Sequence, residues 1–186
     1  MPSPRQPPRP PRPVTPDSLE RSALRYLERF ATSAENFRRV LMRKVDAAAR
    51  AHPGLDREQA AGWVEALIRR YTGAGLLNDA AYADMKAGSL HRRGTSTRAI
   101  REKLAAKGVD RGAVDRALDG LDADTDGPLD RAAALALARR RRLGPFRAPD
   151  KRAALRDKDL AALGRAGFDY ATARSVIDGN TDGEEE

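Results

Sequence analysis

From Asp17 onward apolar side chains recur three and four positions apart, beginning with Leu19, Ala23, Tyr26, Leu27 and Phe30. That spacing places them on one face of a helix. Pro16-Asp17-Ser18 ahead of them supplies a chain stop and candidate caps. The same periodicity predicts further helices over about 33–49, 57–72, 79–91, 96–107, 111–121, 128–143, 152–166 and 170–178. Between them stand Pro53-Gly54, Gly73-Ala74-Gly75, Arg93-Gly94, Gly108, Gly127-Pro128, Gly144-Pro145 and Gly167, residue types that end helices and turn the chain. Val and Ile are few, and no stretch alternates apolar and polar positions with β-branched enrichment, so strands have no support. The chain reads as all-α. Helices this short are marginal alone in water, so each must pack its apolar stripe on neighbours.

Three stretches superpose on one another. In the middle one, Ile100-Arg101-Glu102-Lys103-Leu104-Ala105-Ala106-Lys107-Gly108-Val109-Asp110 precedes Val114, Ala117 and Leu118. In the last, Leu163 precedes Ala166-Gly167-Phe168-Asp169, then Ala173, Val176 and Ile177 at the same offsets, with Asp159 standing where the middle copy has Ile100. The first offers Phe37 to Val45 against the Ile100 segment, followed by a longer connection before Asp56. Gly108 and Gly167 suit a left-handed helix stop, Val109 and Phe168 its hydrophobic partner, and Asp110 and Asp169 the next cap. Each unit is then an opening helix, a basic middle helix and a short closing one. The predicted organisation is a disordered Pro/Arg arm over 1–16, three-helix repeats over 17–78, 79–126 and 127–178, and an acidic tail over 179–186.

Charge sharpens this division. The 186 residues carry 35 Lys and Arg against 27 Asp and Glu, a net of +8 and a pI near 10.3. The segment through Pro16, where Pro fills eight of sixteen positions, contributes +3 and the last nine residues −5, which leaves +10 on residues 17–177. A body that basic attracts polyanions, nucleic acid being the commonest. Within it, residues 131–174 hold 12 basic and 4 acidic groups.

Several chemistries are excluded or unsupported. Cys is absent, and His52 and His91 stand 39 positions apart, so no Cys-based or paired-His metal spacing exists. No Gly-x4-Gly-Lys-Ser/Thr loop is present, and the acids alternate with bases at helix-surface spacings rather than forming a dyad. No apolar run approaches the ~20 residues of a membrane span, and no signal peptide precedes the body. The expectation is a soluble cytoplasmic protein without cofactor or catalysis.

Particular residues resemble those of the RecX family, bacterial regulators of the RecA recombinase. Ala23-Leu24-Arg25-Tyr26-Leu27 is similar to the family's opening helix, and Gly75-Leu76-Leu77-Asn78-Asp79-Ala80-Ala81-Tyr82-Ala83 to its junction before the second unit. Arg92-Arg93-Gly94, then Ile100 to Leu104 and Lys107-Gly108-Val109-Asp110, resembles its middle repeat. The likeness spans residues 18–178; the connection 46–56, both termini and the third unit, with Arg139-Arg140-Arg141-Arg142 before Pro145 and Pro149, depart from the pattern. The resemblance implies an elongated array of three tandem three-helix repeats lying in the groove of a RecA nucleoprotein filament. There it would restrict filament growth, ATP hydrolysis and strand exchange, in homologous recombination, DNA repair and the SOS response, as a monomer that also meets single- or double-stranded DNA non-specifically.

Two clusters are candidate contacts with the filament or nucleic acid. Arg92 and Arg93 lie just ahead of the helix carrying Arg98, Arg101 and Lys107, whose Ile100 and Leu104 face the core. Guanidinium groups grip phosphate and carboxylate in a bidentate manner, although cations on a helix surface are also ordinary solvated groups. Arg139, Arg140, Arg141 and Arg142 cannot all face one way and repel one another unless an anion neutralises them; equally, they suit a helix C-terminus before Gly144-Pro145. Trp63 beside Val64, Leu67 and Ile68 reads as core, as do Tyr26, Tyr82 and Tyr170 near unit boundaries. An alternative class is a DNA-binding helix-turn-helix turning at Lys107-Gly108-Val109-Asp110, against which Asp115 and Asp119 on its second helix would meet phosphate.

Overall fold

The computed structural model describes residues 12–179, and among these residues the regular structure is helical with no strand. The chain separates after Asn78 into two compact units.

The first unit holds α1 (Pro16–Leu27), α2 (Ala34–Ala51) and α3 (Arg57–Gly73). Thr15, not a residue of the Pro16-Asp17-Ser18 stretch, is the cap of α1: its hydroxyl accepts from the Ser18 N–H, and its own N–H donates to Ser18 Oγ at 2.8 Å. Pro16 follows as the first helical residue, where a missing N–H leaves nothing unsatisfied. Val14 is only 5% exposed and joins the core. Residues 12–15 of the expected arm are thus the lead-in to the first helix and Pro16 opens it, while 1–11, and the expected acidic tail beyond Gly179, lie outside the described residues.

The core of this unit is built on volume. Phe37 is fully buried, its ring 5.8 Å from Tyr26 and 6.2 Å from Tyr71, with Leu19, Leu41, Val45 and Val64 around it and Trp63 packed against them. Phe30 breaks the expected helical stripe. It lies three residues past the end of α1, 53% exposed, with its ring against Tyr26. The helix has by then tightened into a turn, with Arg29 and Phe30 N–H both donating to the Tyr26 carbonyl, so the apolar spacing continues but the helix does not.

The second unit begins with α4 (Asp79–Arg92), α5 (Thr97–Ala106) and α6 (Arg111–Ala123) around Ala83, Ala87, Ile100, Leu104, Val114 and Leu118. It continues with α7 (Leu129–Arg141), a 3-10 turn (Gly144–Phe146), α8 (Pro149–Arg165) and α9 (Tyr170–Ile177) around Ala134, Leu137, Leu163, Phe168, Val176 and Ile177. The closing turns are alike. Gly108 and Gly167 take φ of 73° and 93°, Val109 and Phe168 N–H donate back to Leu104 and Leu163 carbonyls at 3.1 and 3.3 Å, and both side chains are buried. Asp110 then accepts from Gly112 N–H and Asp169 from Thr172 N–H, capping α6 and α9.

Polar contacts join the two triads of this unit. Thr97 gives its N–H and hydroxyl to the Asp130 carboxylate at 2.7 and 3.1 Å, and Ser96 Oγ donates to the Ala166 carbonyl at 3.0 Å. His91, 8% exposed, places Nε2 2.9 Å from the Leu129 carbonyl, so Nε2 carries the proton and the ring is a satisfied core histidine. Gly94 lies so close to α7 that a Cβ there would sit 2.6 Å from Leu137 N and 2.8 Å from Ala133 O.

Candidate polyanion interface

All nine candidate residues are exposed, but their surroundings differ. Arg98 Nε is 3.2 Å from Glu102, one turn along α5, and Arg101 Nε is 3.2 Å from Asp115 of α6, a carboxylate that also meets Arg111 at 3.5 Å. Lys107 is the C-terminal cap residue of α5, its backbone N–H bonded to the Leu104 carbonyl at 3.0 Å. Pairs this exposed contribute about 0–1 kcal/mol and exchange readily for another anion. Arg92 and Arg93 make no ion pair among the described residues. Arg92 ends α4 with its guanidinium over Gly88, where a Cβ would come within 3.2 Å of Nη1, and Arg93 lies in the turn that follows.

Arg139, Arg140 and Arg141 form the last turn of α7, which ends two residues earlier than its spacing predicts. Arg142 stops it. This residue takes the left-handed conformation, φ 54° and ψ 53°, alone among the described non-glycine residues. Arg142 N–H donates to Arg139 O at 3.3 Å and Leu143 N–H to Ala138 O at 2.9 Å. Gly94, φ 76°, ends α4 the same way: Gly94 N–H donates to His91 O and Thr95 N–H to Leu90 O. Two corresponding helix ends therefore carry cations, Arg92 at the end of α4 with Arg93 in the turn after it, and Arg140 and Arg141 at the end of α7, where the stop itself is an arginine. A left-handed non-glycine residue costs about 1–2 kcal/mol. Arg139 stacks its guanidinium over Phe146 at 5.4 Å, while Arg140, Arg141 and Arg142 make no ion pair among the described residues. At the C-terminal end of α7 the dipole offsets some of their mutual repulsion.

The sequence reading missed what braces this turn. Asp159 of α8 is 2% exposed; its carboxylate accepts from Gly144 N–H at 2.8 Å and from Arg147 Nε and Nη2 at 3.0 and 2.6 Å. Burial pushes the Asp159 carboxyl up, but Arg147 and the Gly144 N–H together outweigh it and hold the group below its ordinary range. Gly144 is pressed against Ile177 with no room for a Cβ, and Leu143 is buried. The chain leaving the arginine run is thereby fixed from behind. A signal existed: an acid in a helix register where the middle copy has a core isoleucine requires a buried partner.

Among the described residues no group of three or more His, Asp or Glu is placed to hold a metal ion, and no helix is long and apolar enough to cross a membrane. The fold and this surface define an all-helical protein of three-helix units that presents charge on helix ends. Comparison with known proteins places it further. A family model described as RecX, second three-helix domain, matches residues 78–118. Regulatory protein RecX of Myxococcus xanthus (strain DK1622) is 47% identical over 174 residues, 93% of this chain and 91% of that one. Regulatory protein RecX of Amycolatopsis mediterranei (strain U-32) is 33% identical over 79% of this chain and 74% of its own length. A crystal structure of regulatory protein RecX superposes with a TM-score of 0.57 at 20% identity, covering 88% of this chain and 73% of that one, a likeness of fold. The chain belongs to the RecX family of regulatory proteins.

Proposed function

We propose that this protein binds the RecA nucleoprotein filament and restrains it, slowing filament growth, ATP hydrolysis and strand exchange, as a cytoplasmic monomer without chemistry of its own. The observation that carries this reading is the pair of corresponding basic helix ends, Arg92–Arg93 and Arg140–Arg142, exposed and without carboxylate partners among the described residues. Cations held unneutralised on braced turns suit a partner that supplies phosphates or carboxylates. Three-helix units over 17–78, 79–126 and 127–178 fit the three separate apolar clusters, and a series of units suits a long partner better than a small enclosed substrate.

The tight Gly108 turn between α5 and α6 favours, as a second reading, a helix-turn-helix that acts on DNA directly. Its recognition helix would be α6, whose Asp115, Asp119 and Asp122 would face phosphate. Single-stranded-DNA-stimulated ATP hydrolysis by the cognate RecA separates the readings. Inhibition by substoichiometric protein is expected; unchanged hydrolysis at equimolar protein would leave the DNA-binding module.

A further inference from the structure

A second basic site lies on the first unit and includes none of the nine residues considered above. The face of α1 formed by Ser18, Arg21, Ser22 and Arg25, spaced by three and four, meets Lys44 and Ala47 of α2 and the lead-in segment from Arg12 to Thr15 around a groove of about 640 Å³. Among the described residues four cations line it, Arg12, Arg21, Arg25 and Lys44, all exposed, and no carboxylate does. Glu20, on the same helix, is turned to Arg70 of α3, and Asp46 of α2 to Arg57. None of the three arginines makes an ion pair among the described residues, and Lys44 Nζ is held by Ser22 Oγ at 2.5 Å. Thr15 and Ser18, at the N-terminal end of α1, line part of it, where the helix dipole adds positive potential.

We propose that this groove binds the sugar–phosphate backbone of nucleic acid, without reading bases. Four cations drawn from three segments, with Arg21 and Arg25 one turn apart on α1, match a run of phosphates rather than one anion, and the Thr15 hydroxyl lies beside them. Among the described residues the lining has no aromatic side chain on which a base could stack. It also lacks the large exposed apolar or aromatic anchor around which protein interfaces are built, Val14 being buried, which sets an acidic protein surface second. Contact here is electrostatic and independent of base identity. The proposal concerns nucleic acid alone and does not depend on RecA.

The test is fluorescence anisotropy of a labelled single-stranded homopolymer with the full chain, from about 50 to about 300 mM NaCl, without RecA. The probe variant replaces Arg21, Arg25 and Lys44 by Gln; a control replaces Arg29, Arg50 and Arg69, exposed cations of the same unit outside the groove. Each lost phosphate contact removes about 0.7 from the slope of log K against log salt. The groove variant is expected to lose about 2 from the slope and to bind roughly tenfold more weakly at low salt, the control to change little. Equal losses in both variants would overturn the proposal, since net charge alone would then govern binding. Unchanged DNA binding would overturn it as well, and loss of polyglutamate binding alongside would transfer the groove to an acidic protein. Should the thermal melt show the triple variant unfolded, Arg21→Gln and Arg25→Gln singly, each expected to remove about 0.7, decide the matter. ATPase assays with RecA run separately, so a failure there and a failure here are read independently.

Discussion

The two compact units hold themselves together by different means. The first relies on side-chain volume, with Phe37 enclosed by Tyr26, Tyr71 and aliphatic neighbours, and with surface cations such as Arg38 gripped by Glu35 and Glu65. The second has smaller, alanine-rich cores and depends on close approach: Gly94 against α7, Gly144 against Ile177, Gly167 against Ser96. Side chains of Thr97, Asp130, Ser96 and His91 join its two triads. A core built on volume tolerates surface change; a core built on contact geometry fixes its turns, and in this molecule those turns carry Arg92, Arg93 and Arg140 to Arg142, which make no ion pair among the described residues.

Substitutions that attack volume and geometry separately should destabilise the two units separately. Phe37→Ala is expected to cost about 4 kcal/mol through lost burial and a cavity, with amide hydrogen exchange accelerated in residues of the first unit and unchanged in the second. Equal acceleration in both would contradict the division. Gly94→Ala forces a Cβ onto the α7 backbone at positive φ and should cost about 3 kcal/mol, this time with exchange rising across α4 to α7 while the first unit keeps its protection.

Asp159→Asn comes next. Weakening a buried, charge-assisted contact should cost about 2 kcal/mol. It should also alter the acid limb of stability. The folded Asp159 group titrates below its unfolded value, so its contribution is full above about pH 4 and disappears as the pH falls through the folded value. Denaturant midpoints measured from pH 7 to pH 3 should therefore fall less in the Asn variant than in the parent; parallel curves would remove Asp159 from the account. The smallest effect belongs to Arg142→Gly, which relieves left-handed strain and should raise stability by about 0.5 kcal/mol while weakening binding to DNA. A gain in stability with binding unchanged would show that the arginine is not retained for its charge.

Much of the fold is legible from spacing. The turn residues Gly108, Asp110, Gly167 and Asp169 act as their chemistry dictates because helix caps are local: each is completed within a few residues of chain. What was not legible depends on tertiary contact. Phe30 continues the apolar spacing of α1 although the chain has already turned; Thr15 and Val14 sit in a stretch whose proline content reads as unfolded until Val14 meets a core. Arg142 stops α7 where Gly144 is the expected breaker, because Leu143 and Gly144 are anchored by Ile177 and Asp159 from elements well further along the chain. Of the candidate contacts, spacing located the arginines but not which are engaged: among the described residues Arg98 and Arg101 find carboxylates on their own and a neighbouring helix, and Arg92, Arg93 and Arg140 to Arg142 do not. The groove on the first unit was hidden for the same reason, its cations coming from three separate segments.

The hold proposed for the basic helix ends of the second unit on the RecA filament is tested by titrating single-stranded-DNA-stimulated RecA ATP hydrolysis with the parent protein and with a variant carrying Gln at Arg92, Arg93, Arg140 and Arg141. The parent is expected to inhibit at substoichiometric amounts and the variant to require roughly tenfold more protein for the same inhibition, with the difference shrinking as salt rises. Superimposable titrations of parent and variant, or no inhibition by the parent at equimolar protein, would contradict it.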